Sequence, residues 1–240
     1  MKGAIAAGLR RLERPHPLPW RLQCWPVCAS TEVHLDRWLE QDPALPLAVL
    51  ARRQTRGHGQ RGRPWMAPSG GVWLSAALPW PAQADGAAAL GLAVAVGLAL
   101  ELEALDLQPQ IKWPNDLLLQ GRKVAGLLPR LRWRGDRILA ARVGVGLNGC
   151  NRVPPEGIAL VASHPWAGPE RLAPRVLRAL EWAVAAARQP ELVRRQAQQR
   201  LWRSSWLDQN GVCCQPLALR SDGSLEALCA GRPVHLQRHF

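Results

Sequence analysis

Residues 111–147 alternate short apolar runs with turn residues, and this pattern constrains the fold more than any other feature of the chain. The runs are separated at Gln120-Gly121 and at Arg134-Gly135-Asp136. Glycine beside a polar residue tolerates the positive φ angles of a tight hairpin. The pattern predicts four successive β-strands, over residues 111–113, 117–119, 123–130 and 137–147.

Helical patterns lie on both sides of these strands. Residues 86–107 are dense in Ala, Leu and Val and have the length of a buried helix, in which Gly97 would allow close packing. Residues 171–188 and 191–202 return to helical spacing. Two short apolar runs bounded by turn residues are predicted as further strands, at 47–51 and 72–78.

Together these elements predict an α+β fold, in which a mixed β-sheet is packed by helices. Ser30 and Thr31 precede an apolar-periodic stretch, which is typical of an N-capped helix. Short segments after Trp206 predict a small C-terminal β element. We expect a loosely ordered lead-in, one main domain and a shortened C-terminal β element, at residues 1–26, 27–205 and 206–240.

Hydropathy indicates a cytoplasmic protein without a membrane segment. The longest apolar stretch, residues 87–100, has 14 residues, whereas about 20 are needed to span a bilayer. The first 20 residues place an arginine cluster after a short, weakly apolar run, which is the wrong order for a secretory signal. We therefore expect no membrane partner.

The formal charge of +13 raises the alternative of a nucleic-acid-binding protein. The basic residues are dispersed, however, and only three of the 31 are lysines: Lys2, Lys112 and Lys123. In a chain that otherwise uses arginine, a lysine is informative where a compact ammonium group is required. We expect no nucleic-acid partner.

The six cysteines show no paired C-x-x-C spacing of the kind that builds zinc sites. In a cytoplasm these thiols stay reduced. We therefore expect buried or incidental thiols and no structural metal, at Cys24, Cys28, Cys150, Cys213, Cys214 and Cys229.

A glycine-rich loop, residues 54–65, combines alternating glycines with cationic and polar side chains. Glycine backbones approach phosphate or carboxylate oxygens closely, so that successive N–H groups can converge on an anion. Arg61 or Arg63 would add charge-assisted hydrogen bonds, and Trp65 could stack on a purine. A flexible basic surface loop is the alternative interpretation.

A second motif combines lysines and a carboxylate around a proline turn. Residues 112–116 read Lys-Trp-Pro-Asn-Asp, and Lys123 follows on the next predicted strand. When a carboxylate attacks the α-phosphate of ATP, a lysine and a carboxylate-held Mg²⁺ can neutralise the developing charge. Lys123 and Asp116 are therefore candidate catalytic residues, and Asp116 is also a candidate Mg²⁺ ligand. A hairpin with a solvated lysine is the alternative.

Taken in order with a glycine-containing strand that ends at Asn148, these motifs resemble the biotin protein ligase family. The resemblance spans roughly residues 28–151 and implies a catalytic domain like that of class II aminoacyl-tRNA synthetases. It also implies a biotin–[biotin carboxyl-carrier protein] ligase, which forms biotinyl-5′-AMP from biotin and Mg-ATP. The biotin is then transferred to a lysine of a biotin carboxyl carrier protein domain, of the acetyl-CoA carboxylase type.

The resemblance implies two groups of binding residues. Those that contact biotin are Ser30, Thr31, Gln54, Gly57, His58, Gly59, Gln60 and Lys123. Those near ATP or the adenylate are Arg61, Arg63, Trp65, Lys112, Asn115 and Asn148, with Lys112 in a supporting role.

The sequence departs from the family pattern at three points. His58 stands where the family loop usually has Arg, Glu32 stands where Asn is common, and the tail after Trp206 is short. Because no helix-turn-helix pattern precedes Ser30, the chain resembles the ligases that do not repress transcription. The competing interpretations are a lipoate ligase or octanoyltransferase, which shares the superfamily fold, and a non-catalytic biotin binder.

Overall fold

A seven-stranded sheet lies at the centre of the structure, a computed structural model that describes residues 1–82, 90–208 and 210–237. In chain order its strands are β1 (Arg21–Cys28), β2 (Leu47–Gln54), β3 (Val72–Leu78), β4 (Gln110–Lys112), β5 (Asp116–Leu119), β6 (Arg122–Arg134) and β7 (Arg137–Leu147). The spatial order is β1-β2-β3-β7-β6-β5-β4. Strands β1 and β2 run parallel and the other neighbours antiparallel, so the predicted mixed sheet is confirmed.

The hairpin turns lie where the sequence predicts them. Gln120 and Gly121 both have positive φ angles, 52° and 73°, as the tight turn between β5 and β6 requires. Gly135 likewise has a φ of 60° between β6 and β7. Strand β6 continues to Arg134, four residues further than predicted, because it pairs with β7 as far as the turn.

Within the described residues, five α-helices accompany the sheet: α1 (Lys2–Arg11), α2 (Thr31–Gln41), α3 (Leu90–Glu103), α4 (Pro169–Ala186) and α5 (Pro190–Gln199). The predicted helix over 86–107 corresponds to α3, and its first residues lie outside the described part of the chain. At Gly97 an added Cβ would lie 2.3 Å from the carbonyl oxygen of Ala179 in α4. The close packing expected at this glycine is therefore confirmed.

The loosely ordered lead-in predicted for residues 1–26 is wrong. Residues 2–11 form α1, and the chain enters the sheet at Arg21 as β1. Ile5 and Leu9 of α1 are buried, and Gly8 lies against Pro174 of α4. Two buried apolar residues in a helix of 10 residues are too few to give a recognisable helical period in the sequence. A helix this short is stabilised mainly by its packing, here against α4.

A four-stranded antiparallel sheet follows the helices, in the order β11-β10-β9-β8. Its strands are β8 (Trp206–Leu207), β9 (Cys213–Leu219), β10 (Leu225–Cys229) and β11 (Arg232–Leu236), as the predicted C-terminal β element requires. Leu219 and Leu225 belong to the main hydrophobic core. Trp113 Nε1 donates a hydrogen bond to the Gly223 carbonyl, at 2.9 Å. The small sheet is thus attached to the turn that precedes β5.

The expectation that all six cysteines are unpaired thiols is wrong for Cys214 and Cys229, which form a disulfide. The β9–β10 register places these residues opposite each other, with their Cα atoms 4.1 Å apart. Side chains that are opposite in an antiparallel pair lie on the same face of the sheet. Burial raises the pKa of the unpaired Cys24 and Cys28 thiols.

The central sheet is covered differently on its two faces. Helices α3 and α4 pack on one face, where the main core contains Leu74, Ala76 and Val145. A smaller apolar cluster lies under α2 on the other face. No helix in the described part of the chain is long and apolar enough to cross a membrane. The α2 face leaves room beside the helix for a cavity.

Candidate functional site

A cavity of about 430 Å³ lies beside the N-terminus of α2. Its floor includes Gly126 on β6 and Gly144 and Gly146 on β7, residues that lack the side chains that would otherwise fill this space. Gly126 and Gly146 are opposite each other across the β6–β7 pair. Small residues on two adjacent strands thus allow a ligand or an aromatic ring to approach the sheet backbone closely.

One end of the cavity is polar. Ser30 caps α2, and its side chain accepts a hydrogen bond from the Glu32 backbone. Thr31 donates to Gln54 Oε1 from both its backbone N–H, at 2.7 Å, and its hydroxyl, at 3.0 Å. Ser75 Oγ lies 2.8 Å from the Thr31 hydroxyl. This network fixes the orientation of the Gln54 amide, whose NH2 group can donate to a polar ligand.

The glycine-rich loop folds back on itself over the cavity. The Trp65 N–H donates to the Gly57 carbonyl at 2.9 Å, and the Gly59 N–H donates to the Arg63 carbonyl at 2.8 Å. Gly62 has a φ of 71°, which favours glycine at the tip. The loop therefore has a hairpin-like backbone with hydrogen bonds between its two arms.

Trp65 extends from the end of this loop across the cavity floor. An added Cβ at Gly146 would lie 2.7 Å from the indole, and one at Gly126 would lie 2.9 Å from it. The indole also lies edge-on to Trp73, with ring centroids 6.4 Å apart. Its buried Nε1 has no hydrogen-bond acceptor among the described residues. A ligand that supplies an acceptor would satisfy this donor.

Lys123 and Asp116 meet at the opposite wall of the cavity. Lys123 Nζ lies 2.7 Å from Asp116 Oδ1. This distance is that of an ion pair. The angles do not meet the criteria for a hydrogen bond, and the buried Asp116 Oδ1 has no hydrogen-bond donor among the described residues. The same ammonium lies 4.9 Å from the Trp65 ring centroid, in a cation–π arrangement. The β5–β6 hairpin creates this arrangement, because Asp116 and Lys123 lie on its two adjacent strands.

Asn148 and Asn115 support this wall through backbone contacts. Asn148 Nδ2 donates to the Lys123 carbonyl at 3.3 Å, and Asn148 Oδ1 accepts from Asn151 Nδ2 at 3.1 Å. Asn115 Nδ2 donates to the Leu127 carbonyl at 2.7 Å. Both amides therefore fix the backbone around Lys123 and leave limited capacity for a ligand.

Most of the predicted site residues line this one cavity. They are Ser30, Thr31, Gln54, His58, Gly59, Gln60, Arg63, Trp65, Asn115, Asp116, Lys123 and Asn148. Three others do not line it. Gly57 and its neighbours line a second, separate depression. Arg61 is exposed near the loop tip, and Lys112 Nζ lies over the Trp202 ring, 5.0 Å from its centroid.

Sequence reasoning missed several residues of the cavity wall. Ser75 interrupts the otherwise apolar strand β3, and a lone hydroxyl in a fully buried strand is a signal that could have identified it. Asn151, Arg152 and Glu156 come from the segment after β7, which has no recognisable motif. Glu32 lies on the wall beside His58. Within residues 1–82, 90–208 and 210–237, no group of three potential ligands is suited to a metal ion.

A protein-family model described as the biotin/lipoate A/B protein ligase family matches residues 25–148, just over half of the chain. Over 112 residues the chain is 42% identical to a biotin–[acetyl-CoA-carboxylase] ligase of Paracoccus denitrificans, and over 125 residues it is 40% identical to the bifunctional ligase/repressor BirA of Bacillus subtilis. These matches cover 42% and 51% of this chain, and 43% and 38% of the two relatives. The chain thus spans less than half the length of either relative.

Solved structures show the same fold. A biotin protein ligase from Aquifex aeolicus in complex with biotin and ATP superposes with a TM-score of 0.70 at 23% identity, covering 91% of this chain and 96% of that one. A biotin protein ligase from Leishmania major in complex with biotinyl-5-AMP gives a TM-score of 0.63 at 18% identity, covering 93% and 100% of the two chains. At sequence identities this low, the similarity shows a shared fold and nothing more. With the sequence match over residues 25–148, the chain belongs to the biotin/lipoate A/B protein ligase family.

Proposed function

We propose that this chain is an ATP-dependent biotin protein ligase. It would form biotinyl-5′-AMP and transfer biotin to a lysine of a biotin carrier domain of the acetyl-CoA carboxylase type. The observation that carries the proposal is the position of Lys123, whose ammonium lies 2.7 Å from Asp116 and 4.9 Å from the Trp65 ring centroid. One cavity thereby combines a polar end, a cation and an aromatic ring.

The polar end is suited to a small uncharged head group. Thr31, Gln54 and Ser75 form a hydrogen-bonded cluster beside apolar walls that include Trp65 and Leu128. A cyclic urea offers one acceptor and two donors, and such a cluster can match them while the apolar walls enclose the rest of the molecule. We assign Ser30, Thr31 and Gln54 to biotin on this basis.

The Lys123 wall is suited to adenylation. In the first step an oxygen of the biotin carboxylate bonds to the α-phosphorus of ATP, and the bond from that phosphorus to pyrophosphate breaks. Negative charge is then shared by the carboxylate and the α-phosphate. The Lys123 ammonium would neutralise it from a fixed position, with little reorganisation during the reaction. Asp116 orients that ammonium.

The second step transfers the acyl group to the carrier. The amine of the acceptor lysine bonds to the acyl carbon, the bond from that carbon to the AMP oxygen breaks, and the amine loses one proton. The Asp116 carboxylate lies on the cavity wall where it could attract the incoming amine. Trp65, Arg63 and Asn148 would surround the AMP portion, with Trp65 supplying a flat face for adenine.

Mg²⁺ is compatible with the residues present. The ion commonly binds through one or two carboxylates together with substrate phosphates and water. Asp116 and Glu156 both line the cavity, and Asp116 Oδ1 is buried without a well-aligned donor among the described residues. Asp116 would therefore hold the ion, which supplies charge neutralisation at the phosphates when bound.

We further propose that residues 27–205 form the catalytic unit and residues 206–240 an appended element. The Trp113–Gly223 hydrogen bond supports a functional connection between them, since Trp113 belongs to the motif that contains Asp116. This arrangement would let the C-terminal sheet influence the Lys123 wall.

The decisive experiment is transfer of labelled biotin to a purified biotin carrier domain, with and without ATP and Mg²⁺, followed by mass spectrometry of the carrier. ATP-dependent addition of one biotin is the expected result. If no biotinyl-AMP forms, and lipoate or octanoate is activated or transferred instead of biotin, the chain is a lipoate ligase or an octanoyltransferase. Absence of any transfer or adenylate with these acids rejects a ligase.

A further inference from the structure

A side-chain contact joins His58 and Glu32 on the wall of the cavity, where His58 Nε2 lies 2.7 Å from Glu32 Oε2. His58 lies in the glycine-rich loop between two glycines, and Glu32 is the second residue of α2, directly after Thr31. The contact joins the loop to the helix that contributes the polar end of the cavity. The structure thus brings together two residues that are 26 positions apart in the sequence.

The surroundings of Glu32 require a partner for its carboxylate. The residue is only 8% exposed, and a carboxylate in such a position is costly unless it is paired. Its position in the first turn of α2 also favours negative charge. Arg130 Nη2 lies 4.0 Å from the same carboxylate oxygen. Among the described residues, His58 is the nearer of the two basic side chains within 4.0 Å of this oxygen.

The loop has few other attachments to the rest of the protein. At its start, the Thr55 and Arg56 N–H groups donate to the Cys28 and Ala29 carbonyls. At its end, Trp65 rests on the glycine floor. Over residues 57–63, the backbone hydrogen bonds of the structure stay within the loop, and His58 supplies the side-chain contact to α2.

We propose that Glu32 is a positioning residue, which holds His58, and through it the glycine-rich loop, closed over the cavity. The consequence for catalysis rests on the proposed function: a closed loop would retain the acyl-adenylate between its formation and its transfer. Glu32 would act through the loop without contacting the reacting atoms.

Loop closure can be measured without any ligand, because the loop contains a tryptic site at the Arg61–Gly62 bond. The Arg134–Gly135 bond in the β6–β7 hairpin is an exposed internal reference. We expect Glu32→Ala to raise the ratio of loop cleavage to reference cleavage about tenfold, the scale of losing one net favourable polar contact. Mass spectrometry of timed digests gives both rates.

Matched variants distinguish loss of the Glu32–His58 contact from a general loss of protein stability. His58→Ala should raise the cleavage ratio to a similar extent. In the double variant the ratio should exceed that of the more affected single variant by less than about twofold, because all three variants lose the same contact. Glu40→Gln alters an exposed carboxylate on the same helix and should leave the ratio unchanged. Glu32→Gln keeps the side-chain shape and provides the test if Glu32→Ala does not fold, as judged by circular dichroism.

Release of radiolabelled biotinyl-5′-AMP, followed after dilution into the unlabelled compound, measures the consequence for catalysis. We expect Glu32→Ala to release it about tenfold faster than the wild type. Unchanged loop cleavage, or single effects that multiply in the double variant, would overturn the positioning role. Faster cleavage with unchanged release would overturn the retention role. A wild type that does not bind the adenylate contradicts the proposed function, and the cleavage ratio then still decides the Glu32–His58 contact.

Discussion

The indole of Trp65 rests on Gly146, where an added Cβ would lie 2.7 Å from the ring atom Cε2. The glycine is on β7, and the tryptophan is at the end of the glycine-rich loop. A contact this short leaves no room for a methyl group unless the indole moves. The position of Trp65 therefore depends on the absence of a side chain at residue 146.

Gly146→Ala should consequently displace Trp65 from the cavity floor. We expect adenylate formation to slow at least about tenfold, with overpacking lowering the free energy of unfolding by about 1–3 kcal/mol. Gly3→Ala in α1, where nothing lies within 4 Å of an added Cβ, is the control. Pyrophosphate release and urea denaturation measure the two quantities. Wild-type kinetics in Gly146→Ala would show that the position of Trp65 is irrelevant.

Lys123→Ala should slow adenylate formation about 100-fold to 1000-fold, the scale of losing one preorganised electrostatic group. Lys112→Ala provides the comparison, since Lys112 lies over Trp202 outside the cavity. Its effect on the rate should be much smaller. Pyrophosphate exchange with biotin and ATP measures both variants. Equal losses in the two would contradict the assignment of Lys123 as the lysine at the reacting phosphate.

Thr31→Val should weaken biotin binding without changing the shape of the residue. The substitution removes the hydroxyl that contacts both Gln54 and Ser75, so Gln54 loses part of its orientation and a buried partner is left unsatisfied. We expect the dissociation constant to rise about tenfold in titration calorimetry. Thr55→Val, whose hydroxyl makes a long 3.5 Å contact with the Cys28 carbonyl, should leave it near the wild-type value.

The Cys214–Cys229 disulfide closes a loop with a sequence separation of 15. A cross-link of this length lowers the entropy of the unfolded chain and stabilises the protein by about 3 kcal/mol. Oxidised wild type and a Cys214→Ser, Cys229→Ser double variant should differ by this amount in guanidinium denaturation. Cys213→Ser, which alters an exposed unpaired thiol nearby, should show no such loss.

Asp222 should make the stability of the C-terminal sheet depend on pH. Hydrogen bonds from the side chain and backbone of Ser224 lower the pKa of the Asp222 carboxyl below its usual value. A lowered folded-state pKa means that the ionised form stabilises the fold at neutral pH, and that this stabilisation is lost as the pH falls through the folded-state pKa. Asp222→Asn should therefore be less stable than the wild type at pH 7, and the difference should shrink below about pH 4. A constant difference across this range would contradict the assignment.

Local sequence patterns determined most of the secondary structure and the membership of the site. Gln120-Gly121 specifies a turn because its backbone conformation suits glycine, and the turn brings Asp116 and Lys123 onto adjacent strands. The Ser30 cap and the glycine-rich loop are likewise encoded within a few residues. Such features depend on local backbone energetics and could be recognised without knowledge of the fold.

Which distant residues come into contact could not be predicted from local patterns and depends on the packing of the whole chain. Helix α1 is ordered by burial of Ile5 and Leu9 near α4, and Cys214 faces Cys229 because of the β9–β10 register. The meeting of Glu32 with His58 follows from the packing of the loop against α2. The local elements and the chemical types of the cavity residues could be predicted from the sequence, because turn, cap and glycine preferences act over a few residues. Strand register and helix docking depend on contacts across the whole core, and they decided which of those groups touch.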